Sequence, residues 1–88
     1  MTEQINDELS FDIQPSMVSV KEMTKRVKAI LARHIPNRRV IDTDVADILR
    51  IKHGSFGVMK AKNKMPIDEL RGFCERTGLH FDSLVTPA

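Results

Sequence analysis

From residue 19 onward the apolar residues recur at three- and four-residue steps, in segments cut short by Pro, Asn and Gly; this punctuation restricts the chain to several short helices packed on one core. Ser19 and Glu22 have capping-box spacing, and Val20, Met23, Val27, Ile30, Leu31 and His34 follow on one helical face. The spacing predicts a first helix from residue 20 to 34 or 35, stopped by Pro36 and Asn37. His34, at the end of that face, reads as a partly buried or dipole-facing histidine rather than a ligand. After a connection over residues 38–42, Thr43 or Asp44 can cap a second helix running through Val45, Ala46, Ile48 and Leu49. Phe56 and Met59 mark a third short helix within residues 54–62. Pro66 suits the first position of a fourth, with Asp68 and Glu69 complementing its dipole, Ile67, Leu70, Phe73 and Cys74 forming its stripe, and Gly78 ending it. A closing turn holds Phe81, Leu84 and Val85. The expected fold is all-α, with five helices.

At 88 residues this is one domain, and it buries roughly 60 to 65% of the surface its unfolded form exposes. With no Trp or Tyr and four Phe, the core leaves little room for an active-site cleft, which speaks against an enzyme or a small-molecule substrate. No Walker A loop, GxGxxG or GxSxG occurs, so no nucleotide cofactor is expected. His34, His53, Cys74 and His80 form neither CxxC nor HxxxH, so no metal is expected. The single cysteine, Cys74, cannot close an intrachain disulfide; it reads as a core residue of a protein in a reducing compartment. No stretch approaches the ~18 apolar residues of a membrane span, and the N-terminus is acidic where a signal peptide would be basic. The expectation is a cytoplasmic protein without membrane contact.

The net charge of +2 conceals an asymmetry. Of 14 Lys and Arg and 12 Asp and Glu, four acids (Glu3, Asp7, Glu8, Asp12) precede residue 13, while every base follows residue 20, so the remainder carries +6. Such a body favours polyanions, although a solvated basic surface with no ligand would look the same. Residues 1–18 mix the acids with Ile5, Leu9, Phe11 and Ile13, show no sustained period and end at Pro15 and Ser16. They read as a flexible acidic arm that is disordered, packs on the body or reaches a second subunit; residues 19–88 form the domain.

Two short helices that cross steeply through a tight turn need particular residue types at particular places. Small Ala46 lets the second helix approach the first, Ile51 plugs the turn, and Phe56 and Met59 anchor the second helix on the core; the spacing Val45-Ala46, Leu49, Ile51, Phe56, Met59 meets these requirements together. The stretch VADILRIKHGSFGVMKAKNKMPIDELRGFCERTGLHFDSLV resembles the helix-turn-helix domain of bacteriophage CI-type repressors. In that family a recognition helix is followed by basic residues, an apolar residue and Pro, then a helix, a Gly and a short closing helix. The resemblance spans roughly residues 43–85, and the Ser19-capped segment can serve as the first helix. It implies a lambda-repressor-like helix-turn-helix domain of five helices that binds double-stranded DNA as a sequence-specific, phage- or prophage-type transcriptional repressor.

The chain departs from the family pattern at four places. Arg50 stands where Gly is usual at a positive-φ turn, Met59 replaces a Trp, and His80 takes the place of a Ser cap. The fourth departure is the reading face: the resemblance assigns base contacts to His53, Gly54, Gly57 and Val58, with Ser55 adding a contact to base or phosphate. These small residues permit close approach to a major groove but offer few forks that distinguish bases, so modest specificity, helped by DNA shape, is expected. Arg50, Lys52, Lys60, Lys62 and Lys64, a run with no acid between its ends, are the candidates for phosphate contacts, with Arg38 and Arg39 as secondary ones. Lys21, Lys25 and Lys28 read as a solvated face. A weak homodimer is expected, since such domains commonly present two recognition helices to successive grooves. The alternative is a protein-interaction module that uses the same scaffold to bind a regulator or polymerase subunit.

Overall fold

A computed structural model describes residues 17–87; most of the acidic arm expected over residues 1–18 lies outside them. The described residues form five helices: α1 (Val20–Ala32), α2 (Asp42–Ile48), α3 (His53–Lys62), α4 (Ile67–Thr77) and α5 (Phe81–Val85).

The start of α1 has two caps. Ser19 Oγ accepts the Glu22 N–H at 3.1 Å, as its spacing predicts, and Asn63 Oδ1, from the end of α3, accepts the Val20 N–H at 2.8 Å. α1 ends at Ala32, two or three residues earlier than expected. The N–H groups of Arg33 and His34 tighten onto the carbonyls of Ile30 and Leu31, and Pro36 disfavours helix at the residue before it. His34 is consequently exposed beyond the helix end rather than partly buried.

α2 begins at Asp42, ahead of the expected caps Thr43 and Asp44. Asp44 still satisfies the helix start, from inside the first turn: its carboxylate accepts the Ile41 N–H at 2.9 Å. Ile41 has no side-chain acceptor, so the usual cap signature is missing at that position. Pro66 sits just before α4 rather than in its first turn, and Gly78, at φ 76°, closes that helix. His80 precedes α5 without a side-chain cap, as expected from the missing Ser.

α1 is the hub of the fold, packing against α2, α3 and α5, while α2 rests on α3 and α4 on α5. Its buried stripe is Val20, Met23, Val27 and Leu31. Opposite lie Val45, Ala46 and Leu49, then Phe56, and Leu70, Phe73 and Cys74 from α4. The buried hydroxyl of Thr24 donates to the Val20 carbonyl at 2.7 Å and so is not left unpaired. Two arginines bind the ends of helices: Arg26 donates to the carbonyls of Ser83 and Thr86, and Arg76 to that of Ile48 at 2.6 Å. Val18 N–H donates to the Val85 carbonyl at 2.8 Å, which ties the residue before Ser19 to the end of α5. Among the described residues no helix is long and apolar enough to cross a membrane.

Candidate nucleic-acid interface

Four residues, 49–52, join α2 to α3. Reversing direction in so short a span needs one left-handed residue, and Arg50 supplies it at φ 61°. The Arg50 N–H donates to the Asp47 carbonyl and the Ile51 N–H to that of Ala46, the paired bonds that close a helix before a sharp turn. Ile51 is buried beneath the turn, and Ala46, Leu49 and Phe56 are buried around it, while Met59 packs against the core half-buried. The five residues expected to form the motif core all belong to the one hydrophobic core, four of them buried and Met59 packed against it.

With Phe56 facing inward, His53, Gly54, Ser55, Gly57 and Val58 are all exposed, Val58 at 53%, and His53 and Gly57 border a small crevice against Asp42, Thr43 and Ala46 of α2. A Cβ placed on Gly54 or Gly57 would meet nothing within 4 Å. Neither glycine has positive φ, so the fold itself does not require the absence of a side chain at either position. His53 Nε2 lies 2.7 Å from Asp47 Oδ1 on α2, which places an acid beside the first of the expected reading residues. The sequence reading missed Asp47 because it has no periodic relation to α3.

The expected phosphate contacts separate into two groups. Arg38 is engaged bidentately with Asp44 at 2.8 and 2.9 Å, and this pairing together with the Ile41 N–H holds the Asp44 carboxyl at about 2. Lys60 is ion-paired with Asp42, whose other oxygen takes Lys28 at 2.6 Å. Hydrogen bonds from the two lysines lower the Asp42 pKa below the usual carboxylate range. Lys28 is therefore a tie between helices, not only part of a solvated face. Arg39, Arg50, Lys52, Lys62 and Lys64 are exposed and have no acidic partner among the described residues. Arg50 and Lys52 precede α3, and Lys62 and Lys64 bracket Asn63 at its far end, where left-handed φ 53° closes the helix.

Among the described residues no group of three His, Cys, Asp or Glu side chains is placed to hold a metal ion. Comparison with known proteins finds no matching family model, no matching curated protein and no matching solved structure.

Proposed function

We propose that this chain is a helix-turn-helix protein that binds double-stranded DNA, with α3 in the major groove, and acts as a phage- or prophage-type transcriptional repressor. The observation that carries this reading is the outer face of α3. Gly57, in the interior of α3, costs about 0.8 to 1 kcal/mol relative to Ala, and Gly54, in its first turn, costs less. The space around both is open, so the cost has no return within the fold. Small residues on an exposed helical face serve a partner that must approach the backbone closely, and a groove about 12 Å wide is such a partner. Cations stand at both ends of this face, Arg50 and Lys52 before it and Lys62 and Lys64 after it, where they can contact phosphates. His53, Ser55 and Val58 supply the base contacts, Val58 through a thymine methyl.

Binding to a mixed-sequence duplex, followed by fluorescence anisotropy from ~50 to 200 mM salt, tests the reading. The expected result is a steep loss of affinity with salt, with the log–log slope falling by about 0.9 for each phosphate contact removed when Lys52, Lys62 and Lys64 are changed to Glu. Lys60 is left intact because its partner is Asp42. A folded chain that binds no duplex at any salt overturns the proposal. Two copies bound as a weak dimer would set their α3 helices about 34 Å apart on one face of the duplex, which sedimentation with and without DNA would detect.

One observation favours the protein-partner reading: an open apolar groove between α1, α2 and α4, lined by Ile30, Ile35, Ile48, Phe73 and Leu79. Contact there would be insensitive to salt, unlike DNA binding.

A further inference from the structure

The groove between α1, α2 and α4 has a volume of about 390 Å³. Its lining is mostly aliphatic: Ile30, Leu31 and Ile35 come from the end of α1 and the turn after it, Ile48 from α2, and Phe73 and Leu79 from α4 and the residues that follow it. Phe73, 1% exposed, closes the floor, whereas Ile30, Ile35, Ile48 and Leu79 are only half-buried, so apolar surface stands uncovered on several sides of one pit. The carbonyls nearby are already paired. That of Leu31 accepts from the His34 and Ile35 N–H groups, that of Ile48 from Arg76, and that of Phe73 from the Thr77 hydroxyl. The charge at the rim is basic. Arg33 and His34 both line the groove, neither has an acidic partner among the described residues, and no Asp or Glu lines it. The Arg76 guanidinium on the Ile48 carbonyl offsets the partial negative charge of the α2 end, which leaves the rim positive.

We propose that this groove is a binding site for a small apolar carboxylic acid, with its tail over Phe73 and its carboxylate at Arg33 and His34. The site goes beyond the DNA-binding reading and does not depend on it, since no residue of α3 lines the groove. The same apolar surface supports the protein-partner reading above, but its dimensions point to a smaller occupant. α4 contributes a wall only from Phe73 to Thr77, and α2 contributes Ile48 alone. Four residues of helix rise about 6 Å, whereas a docked helix sets its anchors at i, i+3, i+4 and i+7 over about 10 Å. The volume falls within the ~300 to 1,000 Å³ of small-molecule sites and holds about a dozen groups of the size of water, at ~30 Å³ each. Burial of the tail supplies the affinity, and charge-assisted hydrogen bonds at the rim select the head.

The test titrates hexanoate, octanoate and decanoate into the isotopically labelled chain at ~50 mM salt without DNA, following backbone amide and Ile and Leu methyl shifts. The expected shifts saturate and are confined to Ile30, Ile35, Ile48, Leu79 and their neighbours, with affinity rising about fourfold for each added methylene. Octanoate is expected to bind about tenfold more tightly than octan-1-ol, and octylammonium more weakly than either. Arg33→Gln combined with His34→Gln, both at exposed positions, is expected to erase the margin of octanoate over octan-1-ol and to leave the alcohol's affinity unchanged. Shifts that are absent or spread over the whole chain overturn the site. An alcohol bound as tightly as the acid, or a margin that survives the double substitution, overturns the carboxylate and its rim. Groove shifts that grow with protein concentration before any acid is added assign the groove to a second copy and overturn the proposal. So does an amphipathic peptide helix that binds there when octanoate does not. With no DNA in the sample, failure of the DNA-binding reading leaves each of these outcomes unchanged.

Discussion

Arg50 is the residue at which local strain and the proposed role meet. A side chain held at φ 61° carries a left-handed penalty of about 1 to 2 kcal/mol that Gly would not. Arg50→Gly is expected to raise the unfolding free energy by about 0.5 to 1 kcal/mol, after allowing for the greater freedom of Gly in the unfolded chain; urea denaturation measures it. Arg50→Ala keeps the strain and loses the charge, so its stability should stay near that of the original chain while its duplex affinity falls with that of Arg50→Gly. A gain in stability for both variants would mean that the strain is not at the backbone. The expectation of positive φ here comes from the resemblance to CI-type repressors, in which Gly is usual at this turn position; periodicity alone does not give it. The bond from Asn63 to Val20, spanning 43 positions, is not legible, because an Asn after a basic helix signals a helix end and carries no information about a distant N–H.

At the scale of the element, α3 is a helix whose composition works against its own stability. Gly54→Ala and Gly57→Ala are each expected to raise stability by about 0.5 to 1 kcal/mol, since the added methyl meets open space and the helix gains propensity. The same substitutions should weaken duplex binding, because the methyl stands between helix and groove floor. Thermal melts and anisotropy on the same samples check the pair of effects; stability and affinity rising together would remove the case for close approach. Helix existence and order were readable from periodicity, Pro36, Pro66 and Gly78. Helix ends were less so: α1 ends at Ala32 and α2 begins at Asp42 because backbone groups and Asp44 satisfy those ends, without a Gly after the first or a Ser, Thr, Asp or Asn cap before the second. The run of cations read from the sequence loses Lys60 for a related reason, since Asp42 is 18 positions away and reaches it only once α2 and α3 have packed.

For the whole molecule, Asp42 joins α1, α2 and α3 through Lys28 and Lys60, and Asp44 fastens the connection before α2 through Arg38. Both carboxyls are lowered in the folded state, Asp44 to about 2. In the unfolded chain an Asp titrates near ~3.9, so between those values the unfolded state binds more protons and folding weakens as acid is added. The contribution of Asp44 is complete above ~pH 4 and is lost as pH falls through about 2, and that of Asp42 is lost in the same direction. Melting temperature is therefore expected to be level from ~pH 7 to 5 and to fall below ~pH 4, with a shallower fall in Asp44→Asn. An acid limb unchanged by that substitution would assign the loss to other carboxyls.

Cys74, 7% exposed, faces the core from α4, and burial pushes its thiol up. A thiol held protonated and shielded reacts with an aromatic disulfide reagent only when α4 leaves the core. The chain consequently carries a single-copy stopwatch for its own opening: the rate at which Cys74 is modified under native conditions reports how often α4 lifts, and whether bound duplex slows it.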